Sequence, residues 1–151
     1  MTGQWSIITA VCIMDQEIMT SMLKHKTKIR MHHTDSAGVV FYANLFVMAH
    51  DCYEIWMDNY ISLADILQQN IQIPIVHAEA DYTLPIRLSD EMTIEMTLVK
   101  KRRSSFALQY LFRNADGEQA ALVKTVHAVI NGPTRQSIKI PPILQDALSS
   151  L

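Results

Sequence analysis

From position 91 to 98 the chain alternates strictly: Met92, Ile94, Met96 and Leu98 are apolar, and Glu91, Thr93, Glu95 and Thr97 between them are polar. A period of two predicts a strand with one buried face. Phe106, Leu108, Tyr110 and Phe112 share one face of the next strand, and Asp116-Gly117 marks a tight hairpin turn after it. Residues 120–130 are apolar at positions of both parities, which predicts a strand buried on both sides. A further strand is predicted over 73–82, ended by Pro85, and an extended segment over 27–33 that leads into a turn at 34–38. Between these strands the period changes. Over 44–60, Leu45, Met48, Ala49, Cys52, Ile55, Trp56 and Tyr60 recur at three- and four-residue steps, the apolar face of a long helix with Asn44 placed to cap it. A short second helix is predicted over 62–69, capped by Ser62 and with Asp65 in its first turn. A strand, one long helix and about four antiparallel strands make an α+β domain whose sheet must wrap the helix.

The chain has 151 residues, enough for one domain with its own core. Neither a repeat nor a linker divides it. Cys12 and Cys52 are too few for a disulfide scaffold and lack zinc-type spacing. No apolar run approaches the roughly 20 residues of a membrane-spanning helix. The apolar stretch 5–14 has no basic residue before it, and Asp15 and Glu17 follow, which argues against a secretory signal and for a cytoplasmic protein. Met14, Met19 and Met22 stand just upstream of the patterned region. Two expectations follow for residues 1–21: a loose extension ahead of a later translation start, or an ordinary extra strand or helix. The net charge of −2 conceals a contrast, since residues 100–103 carry +4 and the rest therefore sums to −6. That balance does not suit a nucleic-acid binder.

Nucleotide-binding, zincin and serine-hydrolase signatures are absent: there is no Gly-rich phosphate loop, no HExxH and no Gly-x-Ser-x-Gly. His32-His33 with Asp35 is the best metal-like cluster, but neighbouring residues of an extended chain point to opposite faces, so no metal is expected there. His25, His32 and His33 read as solvated or turn-bonded, and His127 as a core histidine. The segment HTDSAGVVFYAN (33–44) carries more. Asp35 sits in a small-residue turn three positions before Gly38, ahead of a helix start. Backbone N–H groups there can hold a substrate carbonyl, with Asp35 near enough to attack it or to activate water. On the residues alone, a carboxylate that merely stabilises the turn is the competing reading.

Three blocks, TDSAGVVFYAN (34–44), IPIVHAEADYTLPIRLSDEMTIE (73–95) and KKRRSSF (100–106), resemble in order the 4-hydroxybenzoyl-CoA thioesterase family of the hotdog fold. The middle block, with Pro74, Ile75, Val76 and His77, is most similar to its 1,4-dihydroxy-2-naphthoyl-CoA thioesterase subgroup. The resemblance implies a single hotdog domain over 27–138, an antiparallel five-stranded sheet wrapped around one long helix. An N-terminal extension (1–26) and a C-terminal tail (139–151) flank it. It implies an acyl-CoA thioesterase for an aromatic or medium-sized acyl group, with CoA as part of the substrate and no separate cofactor. Asp35 would be the catalytic nucleophile or general base, the Tyr42 N–H the carbonyl polariser, and Gly38 the residue that keeps the loop tight. His50, His77 and Asn44 would belong to the substrate-binding set; His50 stands where the hydroxybenzoyl enzymes carry an aspartate, and His50-Asp51 is the naphthoyl subgroup's pattern. Arg102 and Arg103, then Lys101, would contact the CoA phosphates, guanidinium suiting phosphate better than ammonium. Homodimers or homotetramers with sites between copies are implied as well. Two other classes stay open: a hotdog dehydratase using His50 and Glu54, and a non-catalytic acyl-CoA or acyl-carrier binding module.

Overall fold

The computed structural model describes residues 22–151; the expectations for 1–21 lie outside them. Strand β1 (Leu23–Lys28) leads through a 3-10 turn at Met31–His33 to helix α1 (Asn44–Asp58) and the short α2 (Leu63–Gln68). Then come β2 (Ile71–Gln72), β3 (Ile75–Tyr82), β4 (Glu91–Lys101), β5 (Ser105–Arg113), β6 (Gln119–Ala128), β7 (Ile130–Asn131) and α3 (Pro142–Leu148). Five strands form one antiparallel sheet in the order β1-β4-β5-β6-β3, and β2 pairs with β7 beside it. The α+β class, the five-stranded sheet and its single long helix are as expected.

The inner face of the sheet is written in the period of two. Met92, Ile94 and Met96 of β4 and Phe106, Leu108, Tyr110 and Phe112 of β5 are buried against α1. The helix meets them with Leu45, Met48, Ala49, Cys52, Tyr53, Trp56 and Met57. Two predicted members of that face are not on it. Ile55 is 41% exposed because the buried stripe is rotated toward Tyr53 and Met57, and Tyr60 lies beyond the helix end. Asn44 is not the N-cap either: Ala43 holds that position without a side-chain bond, and Asn44 is the first helical residue.

Three strand expectations are also corrected. The first strand starts at Leu23 and ends at Lys28, where Lys28 pairs with Glu91, and Ile29 N–H then bonds Asp90 O. Residues 31–33 turn instead of extending, because the Arg30 N–H donates to His33 Nδ1. The pattern LKHKTK is too polar to announce a strand; its register is held across the outer face by Glu95, which pairs with Lys24 at 3.1 Å and Arg113 at 2.9 Å. Segment 120–130 is buried on both faces only at Ala120 and Ala121, and on one face beyond them. Val123, Thr125, His127 and Val129 face α1, while Leu122, Lys124 and Val126 are half-buried on the outer face. The predicted hairpin turn is present as a five-residue loop, 114–118, with Gly117 at φ +82° and Asn114 Oδ1 accepting from the Asp116 and Glu118 N–H groups. Residues 139–151 are folded in: Ile140, Leu144, Ala147, Leu148 and Leu151 are part of the core.

His127 makes this core acid-sensitive. It lies parallel to Phe106 at 4.8 Å and stacks on Tyr53 at 4.8 Å, 1% exposed. Burial, helped by the charge of His50, lowers its pKa to about 4. Above pH 6.5 the imidazole is neutral folded or unfolded; between 6.5 and 4 only the unfolded chain takes up the proton. Stability therefore falls as pH drops through that window, by up to about 3 kcal/mol from this group. Urea unfolding at pH 7.5 and 5.0 should show the loss, and His127→Phe should remove most of the difference. An equal loss in the variant would contradict the assignment.

Candidate active site

The turn around Asp35 is built by its own backbone. The Asp35 N–H bonds Val39 O at 2.9 Å, Gly38 N–H returns to Asp35 O at 3.1 Å, and the Ala37 N–H reaches Asp35 Oδ1 at 2.8 Å. Gly38 closes the turn at φ +74°, a conformation costly for any residue with a Cβ; among the described residues no atom crowds that side of it, so the requirement is conformational. Asp35 thus does stabilise the turn, with one oxygen. Among the described residues its Oδ2 has no partner, and the carboxylate is exposed.

His33 and Asn44 clamp the loop to the helix. His33 O accepts from Phe41 N–H at 2.9 Å and from Asn44 Nδ2 at 2.8 Å. Val40 N–H bonds Ile86 O, and Val39 bridges Arg87, fixing the loop beside the start of β4. Burial, then the charges of His32 and Arg30, lowers the pKa of His33, consistent with its Nδ1 accepting as a neutral imidazole. Replacing Asn44 by Ala removes the clamp and should cost about 1 kcal/mol in denaturant unfolding; an unchanged midpoint would contradict it.

Tyr42 stands two residues before α1. Its carbonyl accepts from Tyr82 Oη at 3.1 Å, and among the described residues its N–H meets no backbone acceptor. That N–H lies at the positive end of a helix of 15 residues, where negative charge is stabilised. Next to it Val39, Val40, Tyr82, Leu84 and Pro85 line a largely apolar cleft of about 270 Å³. Tyr42 itself is 62% exposed, and Phe41 and Leu84 are exposed too.

The remaining candidates fall elsewhere. His50 is on α1, its Nε2 3.3 Å from Glu54 Oε1, both in solvent; the pair a dehydratase would need is present. With Phe46, Ile75, Ala78, Tyr110 and Thr125, His50 lines a second pocket between α1 and the inner face of the sheet. His77 is not brought to either pocket. Strand alternation puts it on the outer face with Glu79, 3.3 Å away, and Glu79 in turn holds Lys124 at 3.1 Å.

Lys101, Arg102 and Arg103 lie at the other end of β4, in the β4–β5 hairpin, where Arg102 N–H bonds Ser105 O. Lys139 joins them in a shallow groove. A rise of roughly 3.3 Å per residue makes β4 about 33 Å long, so one chain holds Asp35 and this basic cluster at opposite ends of its sheet. Two residues escaped the reading of the sequence. Tyr82 lay inside the recognisable middle block, whereas Lys139 is a lone lysine in the tail and carried no signal.

Residues 29–148 match the thioesterase-like superfamily. The chain belongs to that superfamily. Its reaction class is thioester hydrolysis, and the five-stranded sheet around α1 is the superfamily's hotdog fold. The chain is 36% identical over 120 residues to a 1,4-dihydroxy-2-naphthoyl-CoA hydrolase of Prochlorococcus marinus (strain NATL2A), spanning 74% of this chain and 77% of that one. It is 31% identical over 134 residues to the hydrolase of the same name in Gloeothece citriformis (strain PCC 7424), spanning 86% and 93%. A crystal structure of a 1,4-dihydroxy-2-naphthoyl-CoA thioesterase from Synechocystis superposes with a TM-score of 0.81 at 26% identity, covering 86% of this chain and 97% of the other. Among the described residues no helix is long and apolar enough to cross a membrane, and no group of three or more His, Cys, Asp or Glu side chains could hold a metal ion.

Proposed function

We propose that the protein hydrolyses an aromatic acyl-CoA, with 1,4-dihydroxy-2-naphthoyl-CoA as the first candidate substrate, by way of Asp35. The observation that carries this is that one short loop, 35–42, holds both a carboxylate oxygen left free by the turn and an N–H left free at the head of α1. A thioester carbonyl resting on that N–H gains negative charge where the helix favours it, while Asp35 adds to the carbon or deprotonates water that does. The leaving thiolate belongs to a thiol of pKa about 8.5 and departs without a strong general acid. No Ser-His-Asp set is then required. The substrate itself is supported by the relatives' names.

The site is completed by a second copy of the chain. Edge strand β3 leaves Ile75, Val76 and Tyr82 in solvent, a surface suited to pairing with its counterpart in a homodimer, itself able to form a tetramer. With the acyl group in the pocket beside His50, the CoA phosphates need a basic cluster other than the one at the far end of the same sheet. Arg102, Arg103, Lys101 and Lys139 of a neighbouring copy would supply it. We read the protein as cytoplasmic, because the proposed substrate carries CoA.

The dehydratase alternative rests on His50 and Glu54, which do pair. Incubation with an aryl-CoA and with crotonyl-CoA separates the two. Free acid and CoA released from the aryl thioester are expected, whereas hydration of crotonyl-CoA without aryl hydrolysis would overturn the proposal.

A further inference from the structure

The pocket beside His50 is not wholly apolar, and its polar floor is arranged in one direction. Thr125, on β6, lines it with Tyr110 of β5. Its cross-strand partner on β3 is Ala78, whose single methyl takes up little room beside it, and both residues line the pocket. Behind it, Thr125 Oγ1 lies 2.9 Å from His127 Nε2. His127 Nδ1 is buried with no hydrogen-bond partner among the described residues.

That unpaired nitrogen decides the direction of the bond. Burial keeps the imidazole neutral near pH 7, so it carries one N–H. A proton on Nδ1 would be a buried donor with nothing to bond, the rarer and costlier defect. A proton on Nε2 leaves only a bare acceptor at Nδ1 and donates to Thr125 Oγ1. The threonine oxygen is then occupied as an acceptor from behind, and its own O–H is turned toward the Tyr110 hydroxyl and the pocket, where a ligand oxygen can take it as acceptor.

Position along the fold matches an acyl group in this pocket. Phe46 and His50 lie about 6 and 12 Å along the helix from Tyr42, at roughly 1.5 Å per residue. Thr125 is four residues along β6 from Ala121, the partner of Tyr82, hence about 13 Å from the row that touches Tyr42. An aromatic acyl group anchored by its carbonyl at Tyr42 and laid along α1 points its ring substituents toward Thr125.

We infer that Thr125, held as a donor by His127, is a specificity residue that hydrogen-bonds a ring oxygen remote from the thioester, such as the C4 hydroxyl of a 1,4-dihydroxy-2-naphthoyl group. The inference rests on the proposed function, since it takes the acyl group to be aromatic. The apolar walls Phe46 and Ile75 accept any ring; discrimination of an oxygenated ring from a plain one falls to the polar lining, Thr125 with Tyr110 on the sheet and His50 on the helix.

The test uses free acids, so it does not depend on turnover. Calorimetric titration compares 1,4-dihydroxy-2-naphthoate with 1-hydroxy-2-naphthoate, which lacks only the C4 hydroxyl. The parent protein should prefer the dihydroxy acid about tenfold, the effect of one buried hydrogen bond. Thr125→Val should cut that preference to twofold or less with the monohydroxy acid bound as before, and Thr125→Ser should restore it. The inference is overturned if the parent binds both acids equally or neither. It is equally overturned if Thr125→Val keeps the preference or weakens both acids alike. Failure of the proposed function would show separately, as no thiol release by the parent from the corresponding CoA ester.

Discussion

Asp35→Asn should lower kcat for acyl-CoA hydrolysis on the order of 10³-fold while leaving the fold intact. The amide retains an oxygen that can accept from the Ala37 N–H, so the 2.8 Å bond that shapes the turn survives. What is lost is the charge on the oxygen that has no partner in the turn. If Asp35 only stabilised the loop, the substitution would be nearly silent in activity; a carboxylate that attacks the carbonyl or deprotonates water cannot be replaced by an amide. Thiol release by parent and variant at saturating thioester reads the effect, with denaturant midpoints as the control for folding. Activity within threefold of the parent would remove Asp35 from the chemistry. A single turnover in ¹⁸O water then separates its two roles, because only a nucleophile passes through an acyl anhydride that can leave the label in its own carboxylate.

The second large effect concerns the basic hairpin. Arg102→Ala with Arg103→Ala should reduce kcat/KM for CoA esters by about 100-fold, since charge-assisted bonds to phosphate contribute about 1.5–3 kcal/mol each. A truncated thioester with no nucleotide should be hydrolysed as before. The more telling experiment mixes chains. Because Asp35 and the hairpin lie at opposite ends of one sheet, each site should draw Asp35 from one copy and the arginines from another. Refolding the Asp35→Asn chain together with the doubly substituted chain then rebuilds an intact site in every mixed dimer, about a quarter of all sites with random pairing. Activity returning toward a quarter of the parent value is the expected result. Mixed material no more active than its components would mean that both groups come from one chain, or that the hairpin has no part.

Much of the architecture was legible because local pattern and burial agree where one face of an element is fully covered. Met92, Ile94 and Met96 and then Phe106 through Phe112 alternate in sequence and are buried in the structure. The misreadings occur where tertiary contacts outweigh local pattern. LKHKTK carries little apolar signal, and it is a strand because β4 offers it an edge and Glu95 holds Lys24. Asn44 has the chemistry of an N-cap, yet its amide is drawn to His33 O, a contact eleven residues back that no periodicity reveals. His77 sits in a recognisable block but, by strand parity, on the outer face with Glu79. Asp35, Gly38 and Tyr42 were readable because one short turn holds all three. The separation of Asp35 from Arg102 and Arg103 was not, because the length and direction of β4 set it.

The central claim, an aromatic acyl-CoA thioesterase, is tested most directly by kcat/KM for thiol release from 1,4-dihydroxy-2-naphthoyl-CoA, benzoyl-CoA and decanoyl-CoA, measured side by side on the parent protein. The dihydroxynaphthoyl ester should be hydrolysed fastest and the decanoyl ester slowest. Decanoyl-CoA hydrolysed faster than both aryl esters, or no aryl ester hydrolysed at all, would contradict it.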